Sequence, residues 1–313
     1  MPEWKVLITD NLEEAGLAIL CQSAQVTVRS GISAEELPGI ISGFHALVVR
    51  SRTRVTSTLL ENARLLKVVG RAGVGVDNID LQAARQHGIV VVNTPKATTQ
   101  AVGELTIGLL FALARHIPFL DSALKQGQWL KNEASGLELN GKILGVIGMG
   151  NIGIAVARSA KSLDMQVLGY DPYLSAAEIS LRGAQPASLP ELYARSDFIT
   201  LHIPLTPQTE GMIDRQALQS MKPGVRLVCT SRGGIMDEAA LLEALDSGQV
   251  AEAALDVFLK EPPGLTDLVR HPHLVATPHI GAQTREAQAR AAELVATEVL
   301  AALNGEALHW RIA

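Results

Sequence analysis

Cysteine is scarce in this chain. Only Cys21 and Cys229 occur, too few for a disulfide framework and without the paired spacing of a metal cluster. Both read as ordinary buried apolar residues, and no metal is expected. There is no basic block, and the net charge is −5, which argues against nucleic acid or an anionic membrane as a partner. Long apolar runs are missing too. The longest, around residues 105–114, stops at Arg115 and is too short to span a bilayer. The first residues, MPEWKVLITD, read as a strand carrying charges rather than as a secretory leader. A cytoplasmic protein is the expectation. No internal repeat or low-complexity segment stands out beyond two similar α/β units.

The 313 residues suit about two domains, and the apolar share of 47% and charged share of 19% are those of a globular protein. The most informative stretch is residues 142–171, KILGVIGMGNIGIAVARSAKSLDMQVLGYD. A short apolar run predicts a buried strand over 143–147. Gly148-Met149-Gly150-Asn151-Ile152-Gly153 then fits G-x-G-x-x-G. A small-apolar helical pattern follows from Ile154, and a second apolar run, 165–170, ends at Asp171. Each part has a task in holding a dinucleotide. Gly148 allows a tight turn, Gly150 lets backbone approach a pyrophosphate, and Gly153 lets helix and strand pack closely. The helix N-terminus offers unpaired N–H groups to the phosphates. Asp171 lies 18 residues after Gly153, about where a carboxylate meets the ribose hydroxyls. A 2′-phosphate would be repelled there, so NAD is favoured over NADP.

Before this stretch, strands are predicted over 4–9, 26–29, 46–49, 66–69 and 89–92, with helices over 12–22, 58–63 and 81–87. Gly88 sits where a C-terminal glycine belongs. Such alternation predicts a parallel sheet covered by helices. Two places in this first unit could bind an anion. Arg50-Ser51-Arg52-Thr53-Arg54 follows a strand end, where ligands bind in open α/β sheets, although a solvated basic turn reads equally well. Gly70-Arg71-Ala72-Gly73-Val74-Gly75 could turn N–H groups toward a carboxylate or simply connect a strand to a helix. A long apolar helix is expected over 98–114, its Gly103 and Gly108 packing against another backbone. Residues 116–140 read as an irregular connector, either an ordinary surface excursion or an arm used for association.

After the glycine stretch, strands are predicted over 198–203, 225–229, 250–256 and 274–277. Helix starts fall at Ser188 and Asp214, a helix covers 238–246, and a long closing helix carries Ala287, Ala291, Leu294, Val295, Val299 and Leu303 on one face. Arg232, Glu261 and His279 each lie a few residues past a strand end. Oxidising a 2-hydroxy acid by hydride transfer needs a base for the hydroxyl proton, and histidine titrates near neutral pH. It needs a carboxylate to fix that base's tautomer, and a planar cation for a carboxylate beside a carbonyl. The three residues supply one of each.

Taken together, VVRSRTRVT, VVGRAGVGVDNIDL, VNTP, GKILGVIGMGNIG, LHIPLTPQTEGMID, MKPGVRLVCTSRGGIMDEAAL, ALDVF, EPP and TPHIGA resemble the D-isomer-specific 2-hydroxyacid dehydrogenases over nearly the whole chain. The resemblance is strongest to members that oxidise D-3-phosphoglycerate in serine biosynthesis, in a short form without the C-terminal regulatory domains many of them carry. It implies that Arg232 binds the substrate, that Glu261 pairs with His279, and that His279 is the acid/base. It implies NAD contacts at Asn151, Ile152, Asp171, Ile203, Thr230, Arg232, Asp256, His279 and Gly281, beside the glycines 148, 150 and 153. It places backbone at Val74 and Gly75 on the substrate carboxylate, and Arg50 and Arg52 at a substrate phosphate. It implies two doubly wound domains: a flavodoxin-like substrate domain, residues 1–97 with 284–313, and a Rossmann NAD-binding domain, residues 98–283. A homodimer is implied as well. Alternatives are a glyoxylate/hydroxypyruvate reductase or another D-2-hydroxyacid dehydrogenase, and, in a different class, a protein that binds NADH to sense it.

Overall fold

Short apolar runs between capped helices set the first sheet. In the computed structural model of the chain, residues 4–132 and 134–313 are described. The early elements are β1 (Trp4–Ile8), α1 (Glu14–Ser23), β2 (Ala24–Val28), α2 (Leu37–Ile41), β3 (Ala46–Val49), α3 (Ser57–Glu61), β4 (Val68–Arg71), α4 (Leu81–Gln86) and β5 (Val90–Val92). The strands pair in parallel in the order β2-β1-β3-β4-β5. All four residues of β3, the central strand, are buried, as a parallel sheet covered on both faces requires. Helix starts are fixed by side chains that accept an otherwise unpaired N–H. Thr56 Oγ1 takes Leu59 N–H at 3.3 Å and Asp80 Oδ1 takes Ala83 N–H at 2.9 Å. Gly88 follows α4 with φ 67°, a conformation glycine adopts without steric cost.

Some expectations needed correction here. β4 begins at Val68 rather than at residue 66, and Leu66 is buried outside the strand. Helix α2 gave no sequence signal, since its five residues contain Pro38 and Gly39. Cys229 is buried as expected, and burial pushes its thiol pKa up, but Cys21 is exposed.

The later elements are α5 (Thr99–Ala114), α6 (Ile117–Lys125), β6 (Ile143–Ile147), α7 (Asn151–Lys161), β7 (Gln166–Tyr170), α8 (Ala176–Leu181), β8 (Gln185–Pro186), α9 (Leu189–Arg195), β9 (Phe198–Leu201), α10 (Arg215–Ser220), β10 (Val225–Cys229), α11 (Glu238–Asp246), β11 (Val250–Leu255), α12 (Asp267–Arg270) and β12 (Leu274–Ala276). Their sheet is also parallel, ordered β12-β11-β10-β9-β6-β7-β8. Gly103 packs α5 closely on α7, for a Cβ there would lie 3.3 Å from Ala155 Cβ; Gly108 meets nothing within 4 Å. The connector expected over 116–140 contains α6, a helix opened by Pro118 after His116 at φ 52°. Its apolar residues Ile117, Phe119 and Leu124 are about half exposed, so no buried face announced it. Glu252, buried on β11, holds Arg226 at 2.9 Å and His116 at 2.7 Å.

Last comes α13 (Arg285–Asn304), started by Thr284 Oγ1 accepting Ala287 N–H at 3.1 Å. It packs on α1 and on β4 at glycines. A Cβ on Gly16 would lie 2.5 Å from Ala292 O, and one on Gly70 would overlap Val299 and Val295. Accordingly the chain divides into two compact units, one comprising residues up to Thr98 with Ala282–Ala313, the other Thr99–Gly281. No single described helix is long and apolar enough to cross a membrane.

Candidate active site

The glycine turn follows β6, a central strand of the second sheet. Gly148 has φ 91°, and a Cβ there would lie 2.6 Å from His202 O and 2.7 Å from Ile203 Cγ2. A Cβ on Gly153 would overlap Gly148 O, so this residue lets α7 close on the turn. Gly150 differs from both, since its Cβ position has nothing within 4 Å. It caps α7 without a side-chain hydrogen bond, and the first turn, which includes Asn151, Ile152 and Gly153, carries no acidic residue. A helix N-terminus left in that state is an anion site. Asp171, one residue past β7, is oriented by two N–H groups: Met149 donates to Oδ2 and Tyr173 to Oδ1, each at 3.0 Å.

Arg232, Glu261 and His279 follow β10, β11 and β12, three neighbouring parallel strands. Their loops therefore leave the same edge of the sheet as the glycine turn, the carboxyl edge where open α/β sheets bind ligands. His279 Nδ1 lies 2.7 Å from Glu261 Oε2, and both side chains are partly exposed, at 47% and 38%. Glu261 is itself oriented by Phe258 N–H, which donates to Oε1 at 3.2 Å. Arg232 Nη1 donates to Ser231 O at 2.6 Å. Its neighbour Gly233 packs against the carbonyl of Phe258, which a Cβ would overlap. The Arg232 loop and the Glu261 loop are thus pressed together.

Asp256, named among the dinucleotide contacts, is fully buried. Oδ1 accepts Thr277 Oγ1–H at 2.6 Å and Ile280 N–H at 2.8 Å, and Oδ2 accepts Gly281 N–H at 2.8 Å. These partners bracket His279, whose φ is 53°. Spacing gave no hint of this clamp, because the bonds run to backbone groups 24 and 25 residues away. Thr230 is buried, and its hydroxyl lies 3.1 Å from that of Thr106 on α5.

In the first unit, Arg52 is committed to its own surroundings. Nε donates to Asp10 Oδ1 at 3.0 Å, Nη1 to Ile32 O at 3.1 Å and Nη2 to Thr9 O at 2.5 Å. Among the described residues, the Arg50 side chain makes one bond, to Gln288 Oε1 at 3.3 Å. A cavity of about 420 Å³ beside them is lined by Asp10, Asn11, Ser30, Arg50, Arg52 and Gln283, among others. Further on, Asn93 Nδ2 donates to Val74 O at 2.6 Å. Among the described residues, neither the Val74 nor the Gly75 N–H has an acceptor.

Residues 107–281 match the D-isomer specific 2-hydroxyacid dehydrogenase family, through its NAD binding domain. The chain belongs to the D-isomer specific 2-hydroxyacid dehydrogenases. It is 46% identical over 303 residues to the D-3-phosphoglycerate dehydrogenase of Methanocaldococcus jannaschii, covering 96% of this chain and 58% of that one. It is 45% identical over 305 residues to the Sus scrofa protein of the same name, covering 97% and 57%. The chain thus spans a little over half the length of these curated relatives. A solved glyoxylate reductase from Paecilomyes thermophila superposes with a TM-score of 0.91 at 30% identity, covering 100% of this chain and 99% of that one.

The residues of this 2-hydroxyacid dehydrogenase chain fit NAD. Open space at Gly150, an uncapped α7 N-terminus and a fixed acid after β7 are what the diphosphate and ribose need. One further residue, His202, escaped the sequence reading. Burial lowers its pKa to about 3, and among the described residues neither ring nitrogen has a partner. It follows β9, and its carbonyl borders Gly148. Among the described residues there is no cluster of acidic, histidine and cysteine side chains able to hold a metal.

Proposed function

We propose that the chain is an NAD-dependent dehydrogenase that oxidises D-3-phosphoglycerate to 3-phosphohydroxypyruvate, the entry into serine biosynthesis. One observation carries the chemistry: the His279–Glu261 pair at 2.7 Å stands on the same sheet edge as the glycine turn. NAD, when bound, accepts the hydride from C2 of the substrate. The chain's own residues manage the proton and the charges. Nδ1 of His279 keeps its hydrogen toward Glu261, which leaves Nε2 free to take the proton of the C2 hydroxyl. Glu261 then stabilises the imidazolium. Arg232 holds the carboxylate beside the reacting carbon through its planar fork. In the first unit, the Val74 and Gly75 N–H groups are the proposed partners for a carboxylate and Arg50 for a phosphate, with the cavity beside Arg50 as the space for that group. A homodimer is part of the proposal, and the exposed Phe119, Leu124 and Trp129 support association through this region.

A second reading, reduction of unphosphorylated glyoxylate or hydroxypyruvate, is favoured by the internal commitments of Arg52. Replacing Arg50 by Met separates the two. A loss of about tenfold or more in kcat/KM confined to phosphohydroxypyruvate supports the phosphate role. An equal effect on hydroxypyruvate removes it.

A further inference from the structure

Met149, the second residue of the glycine turn, is gripped at three points. Its side chain is fully buried, with Sδ 3.2 Å from where a Gly169 Cβ would be, a position also crowded by Ile179 and Ala184. Its N–H donates to Asp171 at 3.0 Å. Its carbonyl accepts from Arg182 Nη1 at 2.6 Å. The first two grips use the buried packing of the turn and the acid after β7. The third comes from a residue that no motif singles out. Arg182 is the C-terminal cap of α8, and its place is fixed from both sides. Ser175 and Glu178 form a reciprocal cap at the start of that helix, and Gly183 follows Arg182 with φ 91°.

The bond matters because a peptide unit is planar and trans. The Met149 carbonyl shares its plane with the Gly150 N–H and points the opposite way, so holding the carbonyl fixes the direction of that N–H. Gly150 faces open space on its Cβ side, and among the described residues its N–H has no acceptor. A guanidinium is suited to this task, since a charged donor makes a shorter and stronger hydrogen bond to a carbonyl than a neutral one. We propose that Arg182 is a positioning residue for the dinucleotide, holding the Met149–Gly150 peptide so that the Gly150 N–H points at the bound diphosphate. The proposal rests on NAD binding by the second unit, and it predicts that Arg182 acts on cofactor affinity and not on the chemical step.

NADH and ADP-ribose affinities, thermal melting and steady-state kinetics of the wild-type chain, Arg182→Leu and Arg182→Lys test it. In Arg182→Leu, both ligands should bind about fivefold to twentyfold more weakly, the equivalent of about one hydrogen bond. The KM for NADH should rise by the same factor while kcat at saturation stays within about twofold. Arg182→Lys, which keeps a cationic donor, should recover most of the loss, and a purely structural role would not be rescued in this way. Unchanged NADH affinity in both variants overturns the proposal, as does a fall in kcat with KM unmoved. If Arg182→Leu melts early, Arg182→Lys decides, and affinity no better than in the leucine variant overturns the proposal. A wild-type chain that binds no NADH overturns the cofactor assignment itself, whereas a wild type that binds with variants that bind equally well overturns only the role of Arg182.

Discussion

His279 shows how much of this site rests on single residues. Its φ of 53° is a conformation that costs a non-glycine residue on the order of 1 kcal/mol. The Asp256 carboxylate, bonded on both sides of it, holds it there. Two substitutions separate chemistry from positioning. His279→Ala should lower kcat by about 10²- to 10⁴-fold and leave NADH affinity nearly unchanged. Asp256→Asn keeps the shape but puts an NH₂ group against backbone donors. It should lower kcat by roughly tenfold to a hundredfold, the cost of a misplaced base, and lower stability by about 1–3 kcal/mol. Stopped-flow rates and urea titrations read both, and a fully active Asp256→Asn would refute the clamp. The structure brings Glu261 and His279 within 2.7 Å, and that Arg232, Glu261 and His279 each follow a strand end was legible in the sequence. Asp256 as a clamp was not, since its partners are backbone groups that any residue supplies. His202 escaped because an unpaired buried ring has no sequence signature.

Among the elements, β6 has the bounds the pattern gave, α7 begins at Asn151, three residues before the expected Ile154, and the glycines of the turn differ in a way the motif does not express. Gly153→Ala would drive a Cβ into Gly148 O and should cost at least about 2 kcal/mol of stability. Gly150 has φ −76° and ψ −162°, which alanine adopts freely, and open space around its Cβ position. Gly150→Ala should therefore melt like the wild type and bind NADH about tenfold or more weakly, because the methyl group would enter the space proposed for the diphosphate. Melting curves beside NADH titrations separate the two, and equal stability of both variants would contradict the packing role of Gly153. Strands were legible because parallel sheets bury both faces and so leave continuous apolar runs. β10 and α11 fall where the pattern put them. α6 and α8 did not show: α6 leaves Ile117, Phe119 and Leu124 about half exposed, and α8 is only six residues long.

For the molecule as a whole, His202 ties stability to pH. Its pKa is lowered from 6.5 to about 3 by burial. The unfolded chain takes up this proton below about pH 6.5, and the native chain does not until about pH 3. Stability therefore falls as pH falls across that window, by about 1.4 kcal/mol per pH unit from this group. Denaturant titrations from pH 6.5 to 4 should show a slope about one proton shallower in His202→Gln, and an identical slope would contradict the neutral buried ring. The two-unit α/β organisation was visible as alternation, whereas the return of α13 to the first unit came from family resemblance, because an amphipathic helix does not reveal what its apolar face covers. The substrate is the claim with most at stake for the molecule. NADH oxidation followed by absorbance, comparing kcat/KM for phosphohydroxypyruvate and hydroxypyruvate under identical conditions, bears on it most directly. Preference for the phosphorylated acid by about a hundredfold, roughly 2.7 kcal/mol of transition-state binding, is expected. Equal rates, or a preference for hydroxypyruvate, would make this a general 2-keto acid reductase and leave Arg50 as a surface cation.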